Sequence, residues 1–221
     1  MDILSHGLWA GAGAAAANKR LKKPLRVGLA TFFGVLPDLF AFSILPIWTF
    51  VNVLQKDVTF SQLPRDLPPL LAFEPLPLDT FWVYPFTSLL YALSHSLIVF
   101  FLIASIVYIV KRRIVWEMSG WLLHIVIDVG THSYQFYPTP VFWPISFWHF
   151  NGIPWHTPWF MAVNYAALVF VYFAFIHTWR RRKLREGEVK PVLSVLRRDI
   201  RVKLAVRKIV GKTMRKRVEE V

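Results

Sequence analysis

The sequence predicts an all-α fold: a polytopic membrane bundle of four to five helical spans with a basic cytoplasmic helix at the C-terminus. Hydrophobic residues make up 55% of the 221 residues, and charged residues only 18%. The apolar residues come in long unbroken blocks instead of alternating with polar ones, which is typical of membrane helices. The charge is concentrated at one end. The composition excludes disorder, a disulfide scaffold (there is no Cys) and most soluble folds.

Five apolar segments are candidate spans of a bilayer, which requires a helix of about 20 residues. The first is short and rich in Ala and Gly. It either crosses the membrane or stays at the interface, and its small side chains favour close packing against other helices. The fourth is at the short end, and the others are long enough. The segments cover residues 2–17, 27–54, 81–110, 114–131 and 158–179.

The loops between these segments predict the orientation. Lys and Arg cluster at 19–26, 111–113 and 180–183, whereas the intervening loop 55–80 has two basic and four acidic residues. Because cytoplasmic loops carry an excess of Lys and Arg, we expect a protein of the cell inner or plasma membrane with its C-terminus in the cytoplasm. If the first segment does not cross, only the side of the N-terminus changes.

The charge distribution also divides the chain into a transmembrane domain, 1–179, and a basic tail, 180–221. The tail holds sixteen Lys or Arg and five Asp or Glu, a net charge of +11 out of +13 for the chain. Apolar residues recur at near-helical spacing from Val192 to Leu204. We therefore expect an amphipathic helix that binds anionic lipid. Nucleic acid is the weaker alternative, because aromatic stacking residues and base-reading motifs are absent from the tail.

Ionisable side chains inside the apolar segments are the candidate functional residues, because a charge within a membrane must be paired, bound to metal or turned toward water. There are five: His6, Asp38, His95, His124 and Asp128. Counted from the inner end of each segment at about 1.5 Å per residue, all five lie at a depth of roughly 15–22 Å. The last two are four residues apart and share a helix face. The sequence therefore predicts that they meet in one layer.

Three imidazoles and two carboxylates form a nitrogen and oxygen ligand set for a divalent metal, either zinc or else manganese or iron. They could hold one metal ion with an open position, or two ions that share a carboxylate. Simpler alternatives exist for each residue. A histidine can hydrogen-bond to a neighbouring backbone group, Asp38 can cap a broken helix, and His124 and Asp128 can satisfy each other.

A catalytic metal would need groups that handle water and protons, and three residues are candidates for this role. Asp38 or Asp128 could orient a metal-bound water, and His132, directly after the fourth segment, could carry a proton or add a ligand. His132 opens an outward loop, 132–157, packed with Trp, Phe, Tyr and Pro. Such a loop either lies in the membrane interface or caps a cavity.

Five short motifs in order resemble the membrane-bound metal-dependent hydrolase family, including its LexA-binding, inner-membrane-associated branch. They are Ser5-His6-Gly7, Leu36-Pro37-Asp38, Ser94-His95-Ser96, His124-x3-Asp128-x2-Thr131 and Phe142-Trp143-Pro144. Where the family often has a further Asp and His after Leu-Pro-Asp, this chain has Leu39-Phe40-Ala41. It has Leu90-Tyr91-Ala92 in place of a His-Arg-Gly. These changes remove possible ligands of a second metal or an anion-binding Arg and leave the five ionisable residues intact. The resemblance, over about residues 1–180, implies metal-dependent hydrolysis.

Three functions are therefore compatible with the sequence. The first is a metal-dependent hydrolase of the membrane, acting on a phosphoester or lipid-like substrate. The second is a metal- or ion-handling membrane protein that uses the same polar layer, although five spans without an internal repeat are unusual for a transporter. The third is a non-catalytic membrane scaffold that works through its tail.

The charge pattern of the loops predicts the outcome of a topology experiment. Reporter fusions after Arg113 and at Val221 should both report the cytoplasm, and a fusion at Leu67 should report the opposite side. Paired reporters, one active only inside the cell and one only outside, measure this. A cytoplasmic signal at Leu67 would contradict the assigned spans and the common depth of the five ionisable residues.

Overall fold

The computed structural model describes residues 1–56, 81–134, 137–183, 185–187 and 200, and the secondary structure of these residues is helical. The all-α prediction is confirmed for them. One unit comprises Met1–Val169 and a second Phe170–Val221. The helices are α1 (Ile3–Ala17), α2 (Val27–Phe42), α3 (Ile44–Gln55), α4 (Val83–Ser94), α5 (Leu97–Lys111), α6 (Ser119–Thr131) and α7 (Pro158–Gly187), with a 3-10 turn at Trp116–Met118 before α6.

One helix in the described residues, α7, is long and apolar enough to cross a membrane by itself. Two further spans arise if each bent helix pair counts as one: α2 with α3, which meet at 42°, and α4 with α5, which meet at 61°. The 15 residues of α1 and the 13 residues of α6 are shorter than a single span requires. The apolar segments are thus helical, but two of them are broken.

The break between α4 and α5 lies at His95 and Ser96. The Ser96 side chain accepts hydrogen bonds from the backbone N–H groups of Ile98 (3.1 Å) and Val99 (3.4 Å), so it caps the start of α5. The Leu97 N–H donates to the Val141 carbonyl (2.9 Å) instead of continuing α4. The sequence predicted one unbroken segment here, because a serine inside an apolar run does not by itself indicate a helix cap.

The second segment breaks at Ser43, between α2 and α3. Pro46 follows in the first turn of α3, where a proline is tolerated because its missing N–H would have no helical partner. Asp38 lies well before this break, inside α2, so it does not cap a broken helix. The fourth segment also starts later than predicted. The turn at Trp116–Met118 precedes α6, and the Glu117 carboxylate there accepts from Arg26 Nε at 3.0 Å.

Glycines let the backbones of α1, α2 and α6 approach closely, as the small residues of the first segment predict. A Cβ added to Gly34 would lie 2.6 Å from Ala10 Cβ and 2.9 Å from the His6 carbonyl oxygen. A Cβ added to Gly120 would lie 2.2 Å from the Ala30 carbonyl oxygen. Neither contact can accommodate a methyl group without a backbone shift. These contacts bring the histidines of α1 and α6 to the aspartate of α2.

The second unit contains the rest of α7, whose last turns carry an Arg182–Glu186 pair at 2.9 Å. The predicted amphipathic helix of the tail lies, apart from exposed Ile200, outside the described residues. Its binding to anionic lipid stays a prediction.

Gly120→Ala should destabilise the fold, whereas Gly28→Ala should not. Both glycines are the second residue of their helix, and a Cβ at Gly28 would meet nothing within 4 Å. Alanine is the better helix former at both positions by up to about 1 kcal/mol. Overpacking at Gly120 should outweigh this gain at a cost of roughly 1–3 kcal/mol. Thermal unfolding in detergent measures both, and equal midpoints for the two variants would contradict the close α2–α6 contact.

Candidate metal centre

Five ionisable side chains from the apolar segments meet inside the first unit. His6 lies in α1, Asp38 in α2, His95 at the α4–α5 break, and His124 and Asp128 one turn apart in α6. Each is buried, and Asp38 is the most accessible, at 7% exposure. The structure therefore brings together the residues that the sequence predicts at one depth. Their environment is otherwise apolar helix, so each charge must find a partner within the cluster.

Four of these side chains direct one ligand atom each toward a common point. The ligand atoms of Asp38, His95, His124 and Asp128 all lie within 4.8 Å of one another. The two Nε2 atoms of His95 and His124 are 2.9 Å apart. Asp38 Oδ1 is 3.4 Å from His95 Nε2 and 3.6 Å from His124 Nε2. Asp128 Oδ2 is 3.1 Å from His124 Nε2. A set of two imidazoles and two carboxylates at this spacing can hold a divalent metal ion.

Backbone carbonyls fix the protonation of both histidines. A carbonyl can only accept, so His124 Nδ1 donates to the Gly34 carbonyl (2.7 Å). His95 Nδ1 lies 3.1 Å from the Tyr91 carbonyl and 2.9 Å from Ser94 Oγ, whose own proton is donated to the Leu90 carbonyl (2.9 Å), so both neighbours can accept from it. In the neutral imidazole the other nitrogen then carries a lone pair. Two Nε2 lone pairs therefore face each other and the two carboxylates. Asp128 Oδ2 itself is buried without a hydrogen-bond partner. Only a cation or added protons can satisfy this arrangement.

The alternative that His124 and Asp128 satisfy each other requires a second proton on His124. Its Nδ1–H is directed at the Gly34 carbonyl, so its Nε2, 3.1 Å from Asp128 Oδ2, donates to that carboxylate only in the doubly protonated ring. His6 does not hydrogen-bond to a backbone group: its Nε2 lies 2.9 Å from Asp128 Oδ1 without hydrogen-bond geometry, its Nδ1 is buried without a partner, and its ring stacks on that of His124 with centroids 3.6 Å apart. A histidine that binds a metal through Nε2 usually donates a second hydrogen bond through Nδ1. His95 and His124 have this second contact, and His6 does not.

The second oxygen of Asp128 has different neighbours. Asp128 Oδ1 lies 2.9 Å from His6 Nε2 and 3.4 Å from His132 Nε2. It also accepts from the α-ammonium group of Met1. That ammonium lies 3.1 Å from Thr131 Oγ1 and 3.1 Å from His132 Nε2. The structure thus places His132 beside the cluster, whereas the sequence left its role open between a proton carrier and a further ligand.

His6 owes its position to polar contacts at the start of α1. The Asp2 side chain caps α1 by accepting from the Ser5 N–H (3.0 Å). In the early part of α7, Asn164 donates to Ser5 Oγ (2.7 Å) and Tyr165 donates to Asp2 Oδ1 (3.0 Å). Trp9 Nε1 in turn donates to Asn164 Oδ1 (2.9 Å). These side chains fix the depth and rotation of α1, and with them the His6 ring.

The aromatic loop, 132–157, covers one end of the cluster with residues from its first part. Tyr137 and Thr139 are 1% exposed, and the Tyr137 carbonyl accepts from His132 Nδ1 (2.8 Å) and from the Tyr91 hydroxyl (2.9 Å). Farther along, Ile145 and Trp148 are exposed. The first residues of the loop therefore cap the site, and a later part exposes apolar side chains, whose contact with a membrane interface stays a prediction.

Sequence reasoning missed two participants in this site. Tyr91 lies one helical turn before His95, and its carbonyl and hydroxyl each contact a site histidine. This i, i+4 spacing was the available signal. Thr131 belongs to the His-x3-Asp-x2-Thr motif, and its hydroxyl lies 3.4 Å from Asp128 Oδ1.

Comparison with known proteins gives no relative of this chain. The chain matches no family of known proteins, no curated protein and no solved structure.

If the cluster binds a metal ion, zinc should stabilise the chelator-treated protein. A ligand at 100 times its dissociation constant adds about 2.7 kcal/mol to the stability of the folded state. Asp128→Asn removes the carboxylate and should abolish most of the rise in the unfolding midpoint. Thermal unfolding with and without zinc measures this. Glu117→Gln is the matched control, because Glu117 is a carboxylate that pairs with Arg26 away from the cluster. An equal zinc response in both variants would contradict binding at Asp128.

Proposed function

We propose that this chain is a metal-dependent hydrolase of the membrane, with zinc as the metal and a phosphoester of a lipid-like molecule as the substrate. The observation that supports it best is the group of four buried donors whose two histidines keep their Nε2 lone pairs toward two carboxylates. Zinc prefers nitrogen and oxygen donors in this number and often keeps a position for water in hydrolytic sites. The family resemblance of the five sequence motifs supports the same activity.

The membrane setting of the proposal follows from the apolar segments. We propose four to five crossings, formed by α7, the two bent pairs, α6 with its preceding turn and, if it crosses, α1. The basic clusters then lie in the cytoplasm, and the metal cluster lies in the outer half of the bilayer. A substrate that reaches this depth must itself be partly apolar.

An apolar cavity supports a lipid-like substrate. It has a volume of about 320 Å³ and is lined by side chains of α2, α4, α5 and α6. Its wall includes Pro37 and Ser94, which directly precede Asp38 and His95. An acyl chain bound in this cavity would place its polar head beside the two ligands. Trp121 lines the same cavity and donates to the Ser94 carbonyl (2.7 Å), which holds the wall next to His95.

The metal would polarise a phosphoryl oxygen and lower the pKa of a bound water to about 7. The protein's own groups would then orient that water and move its protons. Asp38 is suited to the water because it is the most accessible carboxylate of the cluster. Asp128 accepts from the Met1 ammonium and lies beside four imidazoles, so it holds the cluster's geometry. His132, 3.4 Å from Asp128 Oδ1, is positioned to exchange a proton with this network.

Purified protein with zinc or manganese should hydrolyse a chromogenic phosphodiester in lipid micelles. His95→Ala should lower kcat/KM by about 100-fold or more, because too few donors would remain to activate the metal-bound water. Release of the chromophore measures this, and metal analysis of the same samples shows whether the loss follows the metal. His177→Ala is the control, since His177 is an exposed histidine of α7 in the second unit.

Three results would contradict the proposal. Turnover that is equal in wild type and His95→Ala would assign the activity to a contaminant. Bound metal with no turnover, together with metal flux in liposomes, would favour a metal-handling protein. Protein without metal that captures a partner through its tail would favour a scaffold.

A further inference from the structure

We propose that the site holds two metal ions, and that Asp128 bridges them. The first ion would bind Asp38, His95, His124 and Asp128 Oδ2, and the second would bind His6 Nε2, His132 Nε2 and Asp128 Oδ1. The inference rests on the proposed function in one respect, since it assumes that the first group binds metal. It goes further by assigning a second cation subsite to a different set of side chains.

The two oxygens of Asp128 divide the cluster into two halves. Oδ2 lies 3.1 Å from His124 Nε2 and 3.4 Å from His95 Nε2. Oδ1 lies 2.9 Å from His6 Nε2 and 3.4 Å from His132 Nε2. A carboxylate that serves one ion needs ligands near only one oxygen. Here each oxygen has two imidazole nitrogens of its own, which is the arrangement of a carboxylate shared by two ions.

His6 is the residue that the first group leaves unexplained. Its side chain is fully buried, and neither ring nitrogen has a hydrogen-bond partner, although Nε2 is only 2.9 Å from Asp128 Oδ1. The atoms are close but do not have hydrogen-bond geometry. Burial of a polar group without a partner is unfavourable. Asp128 Oδ1 already accepts from the Met1 ammonium, so His6 Nε2 is the atom that a cation in this subsite would satisfy.

His132 is oriented for the same role. Its Nδ1 donates to the Tyr137 carbonyl at 2.8 Å, so the neutral ring turns an Nε2 lone pair toward Asp128 Oδ1. The carbonyl contact is the same second-layer interaction that fixes His95 and His124. Three histidines of the cluster thus have Nδ1 on a backbone carbonyl and Nε2 directed inward.

A positive charge already occupies this half of the site. The Met1 ammonium contacts Asp128 Oδ1 and lies 3.1 Å from both Thr131 Oγ1 and His132 Nε2. A metal ion bound there would displace the ammonium. The Thr131 hydroxyl would remain within reach as an oxygen donor.

Two ions that share a carboxylate, typically about 3.5–4 Å apart, suit the hydrolysis of a phosphoester. In such sites the attacking and the leaving oxygen are each stabilised by a cation. The substrate class that follows is a phosphomonoester or phosphodiester, whose non-bridging oxygens can contact both ions. A carboxylic ester offers only one such oxygen, so a second ion would contribute less.

Metal stoichiometry of the full-length, detergent-purified protein tests the inference. With zinc or manganese as the probe, wild type should bind two ions per chain. His6→Ala and His132→Ala should each bind about one, because the first group stays complete. Asp38→Asn should also bind about one, and Asp128→Ala close to none. His177→Ala should bind two and shows that histidine loss by itself does not change the count.

A second measurement does not depend on whether the variants fold. Wild type loaded with Mn²⁺ should give the exchange-coupled electron paramagnetic resonance signal of a bridged pair. One ion per chain with an isolated Mn²⁺ signal in the wild type would overturn the second subsite and leave the proposed hydrolase intact. No bound ion in wild type would overturn both. Two ions without turnover would support the second subsite and contradict the hydrolase.

Discussion

The fold depends on the burial of one carboxylate. Asp128 is 0% exposed in a helical bundle that also buries many apolar side chains. An isolated ionised carboxylate in such surroundings would be too unfavourable to persist, so the chain must surround it with cations or hydrogen-bond donors. It does so with groups from distant parts of the sequence, from α1 to the residue after α6. The convergence of these elements follows from the electrostatic demand of this side chain as much as from apolar packing.

Two backbone features satisfy that demand. Close helix contacts at Gly34 and Gly120 bring α1, α2 and α6 near enough for their side chains to meet. α4 ends at His95 and Ser96 caps the start of α5, so His95 lies at the break and outside both helices. Backbone carbonyls then hold the imidazole rings. Gly34 takes part in both features: its missing side chain permits the close helix contact, and its carbonyl accepts the hydrogen bond from His124 Nδ1. Packing and protonation are therefore coupled at one position.

The residues of the site could be predicted from the sequence, but not their arrangement. Ionisable side chains stand out in apolar segments because burial makes them costly, and helix rise is enough to place them at one depth. The helix breaks could not be predicted in this way. Ser96 can cap α5 because α4 ends just before it. At this end the Leu97 N–H donates to the Val141 carbonyl, 44 residues away, instead of continuing α4. The division of Asp128 between two sets of neighbours depends on side-chain rotation, which sequence spacing does not determine. No sequence motif could predict the contact with the Tyr137 carbonyl, because a backbone carbonyl is the same in every residue type.

The two carboxylates of the cluster differ in exposure, and this difference indicates from which side a substrate would approach. Asp128 has imidazoles on both oxygens and no exposure, so water cannot reach it without moving a ligand. Asp38 contacts the cluster through Oδ1 and retains some exposure, and the residue before it lines the apolar cavity. In the proposed reaction a substrate would therefore approach through this cavity, whose wall includes the residues directly before Asp38 and His95. On the opposite side the Tyr137 carbonyl and the aromatic loop close the site. In the proposed reaction Asp38, next to the cavity, would contact the water, and the fully buried Asp128 would hold the cations, so the two carboxylates would have separate roles.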